Sequence, residues 1–399
     1  MNTNYDSLLN YLTVFLDRTG QWFLTGDALA RFVCSGTIDG CKVLEFGLID
    51  VEPAHLEERL SVFGLNAEKI GDSCYTFERE GIITEIQLYF RSRKGQYSCD
   101  TRGLSFNIDY LRAPDDLIEE IRNKRPELTG KGMWRRQICD KSALSLQLPY
   151  CYGTILDIGY PDWHRKVPRR PYPTTGDLFY AGERKKNAYT LITKLLECGE
   201  RAGIGGKVFS GFGTMLGYLM YGDLIAKDRD LDTCILSDGM TSEQHRLYGE
   251  LAYNVDVQKP SRWEFSKRQD NDNYLWFSVG YKNPVAENGT KSCNWFFFSY
   301  MGYWFHSKGG RWVNPRKINQ TKVPYQTTDE AIALGQPART ITGLIEVPFG
   351  DTKTMIPNNP GMCADWWYPG WGPRGDGASA HHVALIVGKW ADQNTWRIA

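Results

Sequence analysis

The sequence predicts an α+β protein in which a mixed sheet is flanked by helices. Three observations carry this. Leu8, Leu9, Leu12, Phe15 and Leu16 recur at spacings of three and four, the period of one buried helix face. Val43–Val51 and Ile82–Arg91 have the apolar character and length of strands. Between Lys207 and Leu236 a short apolar run, Val208-Phe209, enters a glycine turn, Gly211-Phe212-Gly213-Thr214. A helix face follows at Met215, Leu216, Leu219 and Met220, and then the alternating run Asp230-Leu231-Asp232.

From the N-terminus, the first helix is followed by a strand, a Thr25-Gly26-Asp27 turn and a second helix start. Pro53–Phe63 reads as a helix with proline in its first turn. Ser73–Phe77, Ile82–Arg91 and Gln96–Thr101 read as three strands joined by turns. The Pro/Arg-rich segment WHRKVPRRPYPTTG is a domain boundary, with a linker over 166–177. The expected domains are an N-terminal α+β domain over 1–165 and a second domain over 178–399. The latter opens with a helix over Asp177–Arg201 and adds a helix over Ser242–Tyr253. Its strands are expected at Trp263–Ser266, Tyr274–Tyr281 and Asn294–Tyr300, with loops over Gly309–Thr340. The order strand, glycine turn, helix, strand occurs in both halves. Trp22–Gly26 matches Val208–Gly213, and Gly47-Leu48-Ile49-Asp50 falls near the place of Asp230-Leu231-Asp232. The N-terminal domain therefore reads either as a degenerate copy of the second or as an unrelated α+β domain. In both readings it lacks the acid pair and is not expected to be catalytic.

Composition narrows the function. The 399 residues carry 47 Lys+Arg and 47 Asp+Glu, a formal net charge of zero. That argues against nucleic-acid binding through a broad basic field. The ten cysteines contain no Cys-x-x-Cys pair, which argues against a zinc ribbon and for free thiols in a reducing compartment. The first twenty residues have no basic segment followed by an apolar one, so a soluble, cytoplasmic protein is expected. Trp366, Trp367, Tyr368 and Trp371, set among Pro and Gly, suit either sugar stacking or core filling.

The chemistry sits in the organising stretch. Residues alternating at period two point to one side of a strand, so Asp230 and Asp232 stand together. Two adjacent carboxylates repel unless a cation lies between them, and hard oxygen donors suit Mg²⁺ or Mn²⁺. Gly213 and Thr214, ahead of a helix, offer backbone N–H groups and a hydroxyl to an anion. Asp228 is a third acid close by. The combination reads as metal-assisted transfer of a phosphoryl-type group.

GTMLGYLMYGDLIAKDRDLD resembles the signature of the LicD/fukutin family of nucleotidyltransferase-fold enzymes. That signature runs roughly G-T-L-L-G, an arginine, a glycine, and an acidic W-D-D-D-x-D ending. Gly213, Thr214, Leu216, Gly217, Gly222, Asp228, Asp230 and Asp232 fall on it, while Met220, Lys227 and Arg229 depart from it. Cys293–Tyr300 resembles the family's D-I-F-F-F-Y segment, with Asn294 where the family has its third acid. Val347-Pro348 and the tryptophan-rich 366–373 resemble its closing motifs. The resemblance covers roughly 178–399.

It implies a nucleotidyltransferase-like fold that moves phosphocholine or an alditol phosphate from a CDP-linked donor to a sugar hydroxyl of a glycan acceptor. By the same resemblance Asp230 and Asp232 hold Mg²⁺ or Mn²⁺ and act in catalysis with Asp228. Gly213, Thr214 and Asn294 bind substrate. Peripheral association with membrane-bound glycan-assembly machinery is compatible with it. Two alternatives stay open. One is a nucleotidyltransferase acting on a small molecule or protein. The other is a catalytically inactive glycan-binding or scaffold protein.

Overall fold

A computed structural model describes residues 3–92, 96–99, 104–107, 135–137, 145–149, 151–175, 178–226, 228, 230–236, 238–253, 255, 263–270, 274–281, 299–308, 311–313, 336–368 and 371. It is an α+β protein with mixed sheets flanked by helices. Two compact units divide the described residues, the first up to Arg170 and again from Trp367, the second over Pro171–Trp366.

The first unit opens with α1 (Thr3–Thr19), β1 (Gln21–Thr25), α2 (Gly26–Ser35), β2 (Val43–Ile49) and α3 (Pro53–Val62). There follow β3 (Glu68–Ile70), β4 (Cys74–Arg79), β5 (Ile82–Arg91), β6 (Gln96–Cys99) and β7 (Leu104–Asn107). The hairpin β8 (Arg135–Gln137) and β9 (Ser145–Gln147) and the helices α4 (Tyr152–Gly159) and α5 (Trp163–Lys166) complete it. The strand order is β1-β2-β5-β4-β3, with β6 on β5 and β7 on β6. Only the β2–β5 pair on the main path is parallel. The leucines and phenylalanine of α1 are at most 1% exposed, as their spacing requires. Leu44, Phe46 and Leu48 of β2 are fully buried.

The second unit has α6 (Gly182–Arg201), β10 (Val208–Ser210), α7 (Phe212–Tyr221), β11 (Asp230–Leu236) and α8 (Ser242–Tyr253). Next come β12 (Trp263–Asp270), β13 (Tyr274–Tyr281), β14 (Ser299–Lys308), β15 (Arg311–Val313) and β16 (Gln336–Pro337). The hairpin β17 (Leu344–Phe349) and β18 (Thr352–Pro357) leads to α9 (Pro360–Trp367). Its sheet order is β10-β11-β14-β13-β12, with β15 on β14 and β16 on β15, and β11–β14 is its parallel pair. The hydroxyls of Ser210 on β10 and Thr354 on β18 lie 2.7 Å apart, which fixes the hairpin on the strand before the site.

Several expectations are corrected. The helix expected from Asp177 begins at Gly182, because the Phe179 N–H bonds to the Ala226 carbonyl instead of a helical one. Short strands at Arg311–Val313 and Gln336–Pro337 interrupt the segment expected to be loop. The second domain does not run unbroken to the end. Trp371 packs within the first unit, 5.2 Å from the Tyr152 ring and 6.3 Å from the Trp163 ring between centroids. Trp366, Trp367 and Trp371 are buried, so they fill core and offer no exposed sugar platform. Trp163 and His164, in the boundary segment, are also buried. The cysteines among the described residues are buried and form no disulfide there, and no helix there is long and apolar enough to cross a membrane.

Two predictions follow from the packing. Gly217 lies where α7 meets the chain after it; a β-carbon there would be 2.4 Å from the Asp223 carbonyl and 2.9 Å from the Ile225 nitrogen. Backbone cannot step aside, so Gly217→Ala should cost about 2–3 kcal/mol in denaturant unfolding. A variant as stable as wild type would show that α7 is not held this closely. The second prediction concerns His164. Burial, with Arg165 and Arg169 nearby, lowers its pKa to about 4 from an ordinary 6.5. The folded state keeps it neutral while the unfolded chain takes up a proton, so stability falls as pH drops from 6.5 towards 4. Between pH 7 and 5 that loss is about 2 kcal/mol. His164→Gln should flatten this part of the stability profile, and an unchanged acid slope would remove His164 from it.

Candidate functional site

The site is built where β10 turns into α7 beside β11. β10 pairs antiparallel with β11, Ser210 opposite Thr233. One residue on, the Gly211 N–H donates to the Asp232 carbonyl at 3.1 Å. The chain then turns sharply, with Phe212 at φ 41°, a left-handed conformation costing a non-glycine residue about 1–2 kcal/mol. That turn aims the start of α7 at β11. The Gly213 N–H donates to Asp232 Oδ2 at 3.0 Å, and the Asp232 N–H donates to Thr214 Oγ1 at 2.9 Å. Asp232 is 5% exposed and Thr214 is 2% exposed. A buried carboxylate thus sits at the positive end of a helix, where a charge-assisted bond of this kind is worth about 1.5–3 kcal/mol.

The predicted residues fall as follows. Asp230 is the first residue of β11, two before Asp232; its side chain lies outside the described residues. Asp228 is half-buried, and its N–H bonds to the Ile225 carbonyl at 2.9 Å. Gly213 and Thr214 are brought to Asp232, and both spend the bonds described above on it. Asn294 lies outside the described residues. On β14, which runs parallel beside β11, Ser299 is in register with Asp230 and Met301 with Asp232. Among the described residues no three His, Cys, Asp or Glu side chains gather as a metal-holding group. The donor that is placed, the Asp232 carboxylate, has the hard oxygen chemistry suited to Mg²⁺ or Mn²⁺.

At the other end of α7 lies a polar cluster that sequence reading missed. α7 ends at Gly222 in the left-handed conformation, and Asp223 follows, 7% exposed. Its Oδ2 is 2.5 Å from Lys185 Nζ, and its Oδ1 accepts from Tyr189 OH at 2.5 Å and from the Leu224 N–H at 2.7 Å. Lys185 Nζ also lies 3.3 Å from the centre of the Tyr172 ring. Burial, and then the Asp223 carboxylate, raise the Tyr189 hydroxyl well above the usual tyrosine range. The one sequence signal was Lys185 and Tyr189 at i,i+4 on α6.

Scanned against models of known protein families, the chain matches none. No curated protein of known function matches it either.

The polar cluster makes a prediction of its own. Lys185→Met would leave Asp223 buried without its counter-charge, and should lower stability by about 3 kcal/mol. Lys185→Arg should recover part of that loss in the same thermal melts. Equal melts for wild type and Lys185→Met would mean that the pair does not hold α7.

Proposed function

We propose that the second unit is a metal-assisted transferase with a nucleotidyltransferase-like fold. It moves a phosphorylated small group, of the phosphocholine or alditol-phosphate kind, from a CDP-linked donor to a sugar hydroxyl of a glycan. The observation that carries this reading is the convergence of β11 on the start of α7. A buried carboxylate, Asp232, is held on the first turn of a helix, with Asp230 two residues before it on the same strand. The motif resemblance across Gly213–Asp232 supports it.

The residues divide the work. Asp232 and Asp230 would hold Mg²⁺ or Mn²⁺, which supplies charge neutralisation for the donor diphosphate. Thr214 and Gly213 fix Asp232 against α7, so the carboxylate needs little reorganisation when donor arrives. The first turn of α7 adds the positive end of the helix to the same place. Asp228, half-buried and four residues before Asp232 in sequence, would take the proton of an acceptor hydroxyl. Asn294 cannot take that role, because an amide accepts no proton at neutral pH.

A second reading has one observation behind it. Gly213 and Thr214 both already bond to Asp232, as an anchor in a non-catalytic glycan-binding protein would. Transfer itself decides between them. Incubation with a panel of CDP-linked donors and glycan acceptors, followed by mass spectrometry, should show acceptor mass gained with Mn²⁺ present. Asp230→Asn and Asp232→Asn should each lower that rate on the order of a hundredfold or more. Transfer that survives both substitutions would end the metal-ligand assignment. Absence of any transfer, with glycan still bound, would favour the non-catalytic reading.

A further inference from the structure

We propose that the chain is a tandem duplication of one folding unit, and that Glu45 is the first unit's counterpart of Asp232, kept as a helix anchor after the chemistry was lost. The element order is the first support. Among the described residues, from α1 to α4 and from α6 to α9 the two units run helix, strand, helix, strand, helix, five strands, hairpin, helix. Both main sheets place the first, second, fifth, fourth and third strands side by side, with the same parallel pair. In both, the last strand of the hairpin lies against the first strand of the unit.

Residue equivalence follows from the register. Thr25 pairs with Glu45 on β1 and β2, as Gly211 bonds to Asp232. The expected counterpart of Asp230-Leu231-Asp232 at 47–50 is therefore corrected to Val43-Leu44-Glu45. Both α2 and α7 are ten residues long, and both end on a left-handed glycine, Gly36 and Gly222. Two residues past the helix cap, the Asp27 N–H donates to Glu45 Oε2 at 2.6 Å, as Gly213 does to Asp232. Glu45 is 4% exposed. After α4 and α9 the sequence reads Tyr160-Pro161-Asp162-Trp163 and Tyr368-Pro369-Gly370-Trp371. In each, the tryptophan N–H bonds to the tyrosine carbonyl, at 3.0 and 2.8 Å.

The two anchors differ in a compensated way. Gly26 and Phe212 hold the same position and both have positive φ, 62° and 41°. A β-carbon on Gly26 would lie 1.9 Å from Glu45 Oε2. The longer glutamate fills the space above the turn and requires glycine there. Aspartate, one methylene shorter, leaves room for Phe212. The remaining site positions are not kept. Val43 stands for Asp230, Ala28 for Thr214 and Cys41 for Asp228, so the first unit lacks the acid pair and the hydroxyl. The anchor is then the structural duty both units keep at this position, and metal chemistry is confined to the second unit; that last clause rests on the proposed function.

Two measurements on the full chain test this. In hydrogen exchange, Glu45→Ala should speed exchange of the Asp27 amide at least tenfold, and Asp232→Ala that of Gly213. Glu45→Asp should retain most of the protection. Glu45→Gln gives the same comparison at smaller amplitude if the alanine variant does not fold. Mn²⁺ titration should show one site per chain, lost in Asp232→Ala and unchanged in the Glu45 variants. Unchanged Asp27 exchange would overturn the anchor, and Mn²⁺ loss in a Glu45 variant would overturn its chemical silence. If wild type binds no Mn²⁺, the proposed function fails while the exchange pair still judges the duplication. The compensation gives a final arm: Gly26→Ala should lower the melting temperature less in a Glu45→Asp background than in wild type. Equal losses in the two backgrounds would refute the equivalence.

Discussion

The second unit depends on one carboxylate meeting one helix. Asp232 takes the Gly213 N–H on its side chain, gives its own N–H to Thr214 and receives the Gly211 N–H on its carbonyl. These bonds join β10, α7 and β11 at one point. A helix begins with N–H groups that have no partner inside it, and a buried anion is the group best able to satisfy them. The cost of burying Asp232 and of twisting Phe212 into left-handed space is offset there. Strain and buried charge thus meet at one turn.

The far end of α7 is held by a second ionic contact of different character. Asp223 is satisfied by Lys185, Tyr189 and the Leu224 amide, with the Tyr172 ring over the lysine. The Gly350 N–H, in the turn between β17 and β18, bonds to the Gly222 carbonyl at 2.8 Å. A β-carbon at Gly217 would strike the backbone that carries Asp223. With both ends fixed, the position of α7 relative to β11 is set by polar geometry as much as by apolar packing. The first unit uses the same device at the start of α2, with a glutamate and a glycine in place of an aspartate and a phenylalanine.

Much of this was legible in the residues. The leucine period of α1, Ser242–Tyr253 as a helix and Tyr274–Tyr281 as a strand correspond to the elements found. The glycine turn and the Asp230-Leu231-Asp232 alternation located the strand–helix–strand junction. Less legible were the role of Glu45 and the place of the aromatic tail. Glu45 reads as one polar residue in an apolar strand, and its value comes from Asp27, eighteen positions away in sequence. Trp371 reads as a loop aromatic, and its burial depends on Tyr152 and Trp163.

The sequence by itself determined the element types, the α+β class and the acids grouped near one turn. These follow from local periodicity and from which residues tolerate a sharp turn, both short-range properties of the chain. Tertiary structure decided which N–H groups each carboxylate satisfies, and that the chain crosses back to the first unit at Trp367. It also decided the common strand order of the two sheets. Register and burial depend on partners tens to hundreds of residues distant, and a pattern read along one strand does not name the strand it will pair with.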